Sequence, residues 1–203
     1  MAEGRTAGAG TLALACFGYF VLALLALHGL RPDYTPIDHM ISDYAVGRLG
    51  WVMTSAFVAF AAGCLALAVG LYRFGPRSWV ARGGAAFLIV ATVGLLVTAA
   101  FPTDLETAPS TRTGDIHTIS FLVNIVSIIL AAGLLSASFG GDPAWRSFQL
   151  YALGVFGLLV VAFVVQFLSL RRGAPYGITN RFFVAVVMAW LLGTAHRLRR
   201  LAG

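Results

Sequence analysis

Histidines and carboxylates are the side chains best able to do chemistry in this chain, and most of them lie in two polar segments. Residues 31–50 and 102–117 hold six of the eight acidic residues. Three of the four histidines lie in these segments or directly beside them. Long apolar runs flank both segments. Because ionisable groups are costly near hydrocarbon unless they are paired or hydrated, this clustering indicates a candidate site.

Four of these side chains could bind a divalent metal ion. His39 and Asp43 come from the first polar segment, and Asp104 and His117 come from the second. Imidazole nitrogens and carboxylate oxygens are ligands of zinc, which can keep an open position for a reactive water. The sequence therefore allows a metal-assisted site, although none of the spacings is a diagnostic metal motif.

The same residues also allow acid–base chemistry without a metal. His117 could act as a general base that a carboxylate orients, with Ser42 as the nucleophile. Arg181 lies near the external end of a later apolar run, where it could bind a phosphate or stabilise an oxyanion. These residues would suit a reaction on a lipid or another amphiphile at the membrane boundary.

The elements that must position these residues are helices. The chain has 203 residues, is 59% hydrophobic and 11% charged, and its apolar runs do not alternate as the strands of a membrane barrel would. We therefore expect an all-α polytopic membrane protein with one membrane domain over residues 1–203. The predicted bundle has six transmembrane helices, at about 9–30, 51–72, 83–101, 118–138, 147–169 and 181–196.

Local signals predict an additional interfacial helix over about 36–46. Thr35 offers an N-cap, a proline follows it at the first helical position, and Gly47 is a plausible stop. On such a helix His39 and Asp43 share one face, so the carboxylate could orient the imidazole. The apolar side chains of the segment would lie in the interface and fold over the mouth of the bundle.

Three later candidate positions lie on predicted spans or at their ends. Thr113 is a plausible N-cap of the fourth span and places His117 in its first turn. Asn124 follows His117 by seven residues, so it lies on nearly the same face, about 10 Å further along the helix axis. We expect that face to point into the bundle and Asn124 to contact a substrate. Arg181 is predicted to open the sixth span.

The charge distribution predicts an orientation. With a cytoplasmic N-terminus, eight arginines and two acids lie inside, whereas six arginines and six acids lie outside. This bias is the one expected for short cytoplasmic loops. It places both termini in the cytoplasm and residues 31–50, 102–117 and 170–181 outside. This orientation accounts for the net charge of +6 without a nucleic acid partner. The chain has no lysine, which excludes a Schiff-base lysine.

Four motifs in order resemble a known family. They are HMISDYAVG after the first span, FPTD at the end of the third, GDIH at the fourth and GITNR at the sixth. With these motifs the chain resembles the bacterial membrane family named domain of unknown function 998. The resemblance implies a compact six-helix protein and assigns no activity. The positions that match the polar pattern of the family are Ser42, Asp43, Asp104, His117 and Arg181.

Three classes of function remain open from the sequence. The first is an intramembrane enzyme or binding protein for a lipid or other amphiphile, and the second is a small transporter that begins a polar path at Asp104, His117 and Asn124. In the third, Asp43, Asp104 and Arg181 form only interhelical salt bridges in a structural subunit. Membrane lipids are the expected partners. We predict that Asp43, Asp104, His117 and Arg181 lie within about 10 Å of one another.

Overall fold

The structure is a computed structural model that describes residues 2–106, 108–171 and 174–201. Its α-helices are α1 (Ala2–Leu30), α2 (Gly50–Phe74), α3 (Trp79–Ala100), α4 (Arg112–Phe139), α5 (Arg146–Ser169) and α6 (Tyr176–Arg200). All six are long and apolar enough to cross a membrane, and the described ranges contain no strand. The predicted all-α, six-span membrane architecture is confirmed. Thr107, Arg172 and Gly173, which belong to predicted external segments, lie outside the described residues, as does Gly203.

The helices form a closed ring in chain order. Each helix packs against the next one, and α6 returns to pack against α1. Each helix is long enough to cross a membrane and packs against the next, and successive helices run antiparallel. The connections 31–49, 101–111 and 170–175 therefore meet at one end of the bundle, which we call the polar end. The connections 75–78 and 140–145 meet at the opposite end, which we call the basic end.

Aromatic side chains fill the centre of the ring. Phe17 and Phe20 of α1 pack against Phe60 of α2, with ring centroids 5.9 and 4.9 Å apart. Gly63 permits this contact, since a Cβ there would lie 2.6 Å from the Phe17 ring. On the far side, the buried indole of Trp190 in α6 donates a hydrogen bond to the hydroxyl of Ser136 in α4. These contacts fix the ring on which the polar end is built.

The predicted helix over 36–46 is wrong in extent. The structure has a turn over 36–38 and a 3-10 helix over Ile41–Ala45. Thr35 does accept a hydrogen bond from the backbone N–H of Asp38, as a cap would. The turn does not propagate because the carbonyls of Ile37 and His39 accept hydrogen bonds from α6 instead. Tertiary hydrogen bonds thus replace the local ones.

Two predicted helix starts are also corrected. The N-cap of α4 is Thr111, whose side chain accepts from the N–H of Gly114, so Thr113 lies inside the helix and His117 in its second turn. Helix α6 begins at Tyr176, directly after Pro175, which places Arg181 in its second turn. Both helices begin earlier than predicted. The predicted spans followed the apolar runs, whereas the first turn of each helix also contains polar residues.

Candidate functional site

The connection 31–49 is held in shape by a buried arginine. Arg31 is only 3% exposed. Its Nε donates to both carboxylate oxygens of Asp33, at 2.9 and 3.1 Å, and its Nη1 donates to the carbonyls of Val46 and Arg48. The guanidinium also lies over the Tyr34 ring, 4.4 Å from the centroid. The paired guanidinium lowers the pKa of Asp33. Arg31 therefore joins the two ends of this connection.

Arg181 fastens the same connection to the helices. Its Nε donates to Nε2 of His28 in α1 at 2.7 Å, and its Nη1 donates to the carbonyls of His39 and Gly177 at 2.6 and 3.0 Å. Its Nη2 lies 3.3 Å from the hydroxyl of Tyr44. None of these acceptors is a carboxylate. Among the described residues, Arg31 and Asp33 form the only ion pair. The predicted salt bridges of Asp43, Asp104 and Arg181 are therefore not formed.

The first turn of α6 lies directly under the connection. The N–H of Gly177 donates to the carbonyl of Ile37 at 2.8 Å. A Cβ on Gly177 would lie 2.6 Å from the carbonyl oxygens of both Pro36 and His39, so only glycine permits this approach. One helical turn later, Oδ1 of the buried Asn180 accepts from the N–H of Ile41 at 3.1 Å. Sequence reasoning missed both positions, although GITNR contains them.

Asp43 and His39 do not form the expected pair. Oδ2 of Asp43 accepts from the N–H of Met40 at 3.0 Å and so caps the 3-10 helix. Burial raises the pKa of this carboxyl to about 6. The His39 ring packs against Tyr34 instead, at 4.9 Å between centroids, and its buried Nδ1 has no hydrogen-bond partner in the described structure. The pairing fails because the segment is not α-helical, so positions four apart do not share a face.

Asp104 and His117 meet at the junction of α3 and α4 in separate roles. Asp104 accepts from the N–H and the hydroxyl of Thr111, at 2.7 and 2.9 Å, and its carboxylate packs on Gly114. Nδ1 of His117 lies 2.8 Å from the carbonyl oxygen of Phe101. A carbonyl can only accept, so Nδ1 carries a proton and Nε2 of the neutral ring presents a lone pair.

Asn124 connects α4 to α3. Its Nδ2 donates to Oγ1 of Thr98 at 2.9 Å, and that hydroxyl lies 2.8 Å from the hydroxyl of Ser120. Its Oδ1 packs against Gly94 and has no conventional hydrogen-bond partner in the described structure. Asn124 therefore lies on the inward face of α4, as predicted, and most of its polar capacity joins two helices.

A cavity lies in the centre of the ring beneath the 3-10 helix. Its volume is about 60 Å³. Aromatic and aliphatic side chains form most of its wall, to which α1, α2, α3, α4 and α6 all contribute. The polar residues of the wall are Ser42, Thr98, His117, Asn124 and Asn180. Three of the predicted site residues, Ser42, His117 and Asn124, therefore share one cavity.

The other predicted residues line two neighbouring places. Asp43 and Asp104 face a surface pocket of about 280 Å³, together with Glu106 and Tyr176, whose hydroxyl donates to Glu106. Arg181 lies at the polar end of a groove of about 490 Å³ between α1 and α6. The single pocket expected for Asp43, Asp104, His117 and Arg181 is thus divided into an interior cavity, a surface pocket and a lateral groove.

The four predicted metal ligands are dispersed among these places. In the described ranges, no three side chains of the types His, Cys, Asp and Glu come close enough to hold a metal ion together. Asp43 and Asp104 use carboxylate oxygens to accept local hydrogen bonds, and His117 uses one nitrogen to donate to Phe101. The arrangement therefore fits hydrogen bonding to a ligand better than metal coordination.

Gln166 is a further polar residue that sequence reasoning did not select. It lies on the buried stripe of α5, which packs between α4 and α6, and it is 2% exposed. Neither its Oε1 nor its Nε2 has a hydrogen-bond partner within the described structure. Because a buried amide without partners is costly, water or a ligand is expected beside it. A glutamine within a long apolar run was the available signal.

The comparisons with known proteins agree with the resemblance in the motifs. A family model described as "Protein of unknown function (DUF998)" matches residues 5–197. No curated protein and no solved structure gives a significant match. The match spans nearly the whole chain, so the chain belongs to the DUF998 family and, with its six membrane-spanning helices, is a multi-pass membrane protein.

Proposed function

We propose that this protein binds a membrane amphiphile within its helix bundle. The polar group of the ligand occupies the interior cavity under the 3-10 helix, and its hydrocarbon chain passes between α1 and α6 into the lipid. The ligand is an amphiphile because the cavity wall is mainly apolar while its polar residues gather toward one end of the bundle.

One observation carries this proposal. Phe20 and Val184 line both the interior cavity and the groove between α1 and α6. A single layer of side chains therefore separates the cavity from the lipid-facing surface. Displacement of the Phe20 side chain, which lies in both walls, would join the two spaces. The groove supplies the lateral entrance that a membrane ligand needs.

The cavity favours a small polar group that can donate a hydrogen bond. Nε2 of His117 is an acceptor in the neutral ring, and the Ser42 hydroxyl and the Asn180 amide stand in the same wall. A cavity of about 60 Å³ exceeds the roughly 10–15 Å³ that a single water needs, so a small polar group such as a hydroxyl fits it without rearrangement. A hydroxyl-bearing lipid fits these limits.

Hydrolysis of such a ligand is the second candidate. It is favoured by the presence of Ser42 and His117 in one cavity wall. A serine nucleophile, however, needs a hydrogen bond to its base, and none joins these two side chains in the described structure. Transport is less favoured, because three of the buried hydroxyls deeper in the bundle, those of Thr92, Thr194 and Ser136, already bond to backbone carbonyls or to the indole of Trp190.

The proposal includes an orientation in the cell membrane. Both termini would be cytoplasmic, and the polar end, with the cavity beneath it, would face outward. The excess of arginines over acids at the basic end supports this arrangement. A reporter that is active only outside the cytoplasm, fused to the C-terminus, should stay inactive. An active fusion would mean that the orientation is the opposite one. That result would not test the binding site.

The test of binding compares the lipids that copurify with matched variants. Val184→Trp places a large side chain in the shared wall, whereas Val161→Trp places it at a position of α5 that is 55% exposed. We expect mass spectrometry of the wild type and of Val161→Trp to show one amphiphile enriched over the membrane extract, and Val184→Trp to lose it. Equal lipid profiles in all three folded proteins would refute the proposal.

A further inference from the structure

We propose a second, independent site at the basic end, which binds the phosphate group of a membrane phospholipid. A pocket with a volume of about 640 Å³ lies there. It is formed where the turn between α2 and α3 meets the turn between α4 and α5. Arg73 and Arg77 line it together with the hydroxyl-bearing residues Ser78 and Ser138.

The two arginines of this pocket have donors to offer a ligand. Arg73 and Arg77 are exposed, and within the described structure neither guanidinium forms a hydrogen bond or an ion pair. At the polar end, in contrast, Arg31 and Arg181 use their donors inside the protein. A guanidinium presents its N–H groups in a planar fork that matches two oxygens of a phosphate. Arg73 and Arg77 therefore form an anion-binding pair.

The charge around the pocket stays positive although one acidic residue lines it. Its acidic residue, Asp142, accepts a hydrogen bond from the N–H of Ala144 at 2.9 Å, which holds the carboxylate against the backbone. Arg197 donates to the carbonyl of Ala144 and to the hydroxyl of Ser147, and so places another cation behind the same turn. The local potential is therefore positive.

The position of the pocket favours a lipid over a soluble phosphate. It opens at the level of the helix ends, which is the level of the headgroups in a membrane. Trp79 is 82% exposed and Tyr72 66% exposed beside it, and the guanidinium of Arg82 lies over both rings. Exposed aromatic side chains at helix ends are typical of the headgroup region. A phosphate on a lipid is thus delivered directly to Arg73 and Arg77.

The experiment uses native mass spectrometry of the purified full chain with phosphatidylglycerol and, separately, phosphatidylcholine. We expect preferential retention of phosphatidylglycerol, and a loss of about tenfold or more in its affinity in the Arg73→Ala/Arg77→Ala double variant. The matched control is Arg199→Ala/Arg200→Ala, which removes the same charge from exposed positions of α6 outside the pocket. The control should keep the preference.

Three results would overturn the proposal. In the first, the control loses the lipid as completely as the pocket variant does, which would indicate that net positive charge alone retains the lipid. In the second, the pocket variant retains it. In the third, inorganic phosphate at millimolar concentration displaces the lipid with the same dependence on Arg73 and Arg77, which would assign the pocket to a soluble anion. An Arg73→Lys/Arg77→Lys variant keeps the charge and should still weaken binding, because it removes the planar fork.

Discussion

Arg31 at the polar end and Arg77 at the basic end are used in opposite ways. At the polar end Arg31 is 3% exposed and donates to one carboxylate and two carbonyls, whereas at the basic end Arg77 is exposed and has no partner in the described structure. In the connection 31–49 the charge of Arg31 is thus used inside the protein. Arg73 and Arg77 at the basic end present their charges outward. Counting charges therefore predicts orientation. Only the burial and the hydrogen-bond partners of an arginine show whether it stabilises the fold or is available to a ligand.

The largest expected effect is the loss of the buried arginine. Arg31→Ala removes a buried side chain and leaves the carbonyls of Val46 and Arg48 without their donor, and we expect the free energy of unfolding to fall by about 3 kcal/mol. Arg77→Ala is the matched control at the basic end, where we expect a change within about 0.5 kcal/mol. Denaturant unfolding in detergent measures both. Equal values would remove the contrast between the ends.

The close approach of α6 to the connection gives a second expected loss of stability. Gly177→Ala places a methyl group 2.6 Å from the carbonyl oxygens of Pro36 and His39, so the connection must move away or α6 must shift. We expect a loss of about 2 kcal/mol. Gly154→Ala in α5 meets no atom within 4 Å and should be neutral or stabilising by up to about 1 kcal/mol.

The melting temperatures of the two glycine variants provide the measurement. A Gly177→Ala protein as stable as Gly154→Ala would mean that the connection 31–49 does not rest on α6. The polar end would then be as open as the basic end, and the interior cavity would lack its cover.

Asp43 gives the polar end a dependence on pH. Its pKa is about 6 in the folded protein and near 4 in an unfolded chain, so the folded state binds more protons between these values. This carboxyl therefore stabilises the fold below about pH 4 relative to higher pH, and that contribution is lost as the pH rises through about 6. The total change is up to about 3 kcal/mol.

Thermal unfolding across this pH range separates the contribution of Asp43 from others. Asp43→Asn should lose the part of the pH dependence between about 4 and 6. Asp115→Asn, which alters an exposed carboxylate bonded to the Ser110 hydroxyl, should retain it. Identical profiles for wild type and Asp43→Asn would mean that the carboxyl is hydrated in the membrane-bound protein.

The smallest expected effect concerns the cap of α4. Thr111→Ala removes the acceptor for Gly114 and a donor to Asp104, so we expect a loss of about 1 kcal/mol. Thr113→Ala changes an exposed position within the helix and should cost less than about 0.5 kcal/mol. A larger loss at Thr113 than at Thr111 in thermal unfolding would restore the helix start that the sequence predicted.

The spans were predictable because length and apolar composition alone determine them. The inward position of Asn124 was also predictable, since helical periodicity places it on the face of His117. The connection 31–49 was not, because its conformation depends on hydrogen bonds to residues far away in the sequence. Asn180 bonds to Ile41, and Arg181 bonds to His39, at separations of 139 and 142 residues.

The same reason explains the candidate site. Ser42 and His117 meet in one cavity because the connection folds over the ring, and Asp43 points to a different surface because its segment is a 3-10 helix. The sequence identified residue types and the end of the bundle at which they gather. It could not identify which of them share a space.

The most direct test of the central claim is photo-crosslinking with a diazirine-bearing fatty alcohol, added to the full-length protein in native membranes and followed by peptide mass spectrometry. Binding inside the bundle predicts saturable labelling of Phe20, Phe121 or Val184, the residues of the cavity wall, and loss of this labelling in Val184→Trp. Labelling that does not saturate and falls mainly on lipid-facing positions of α5 such as Val161 would contradict the account.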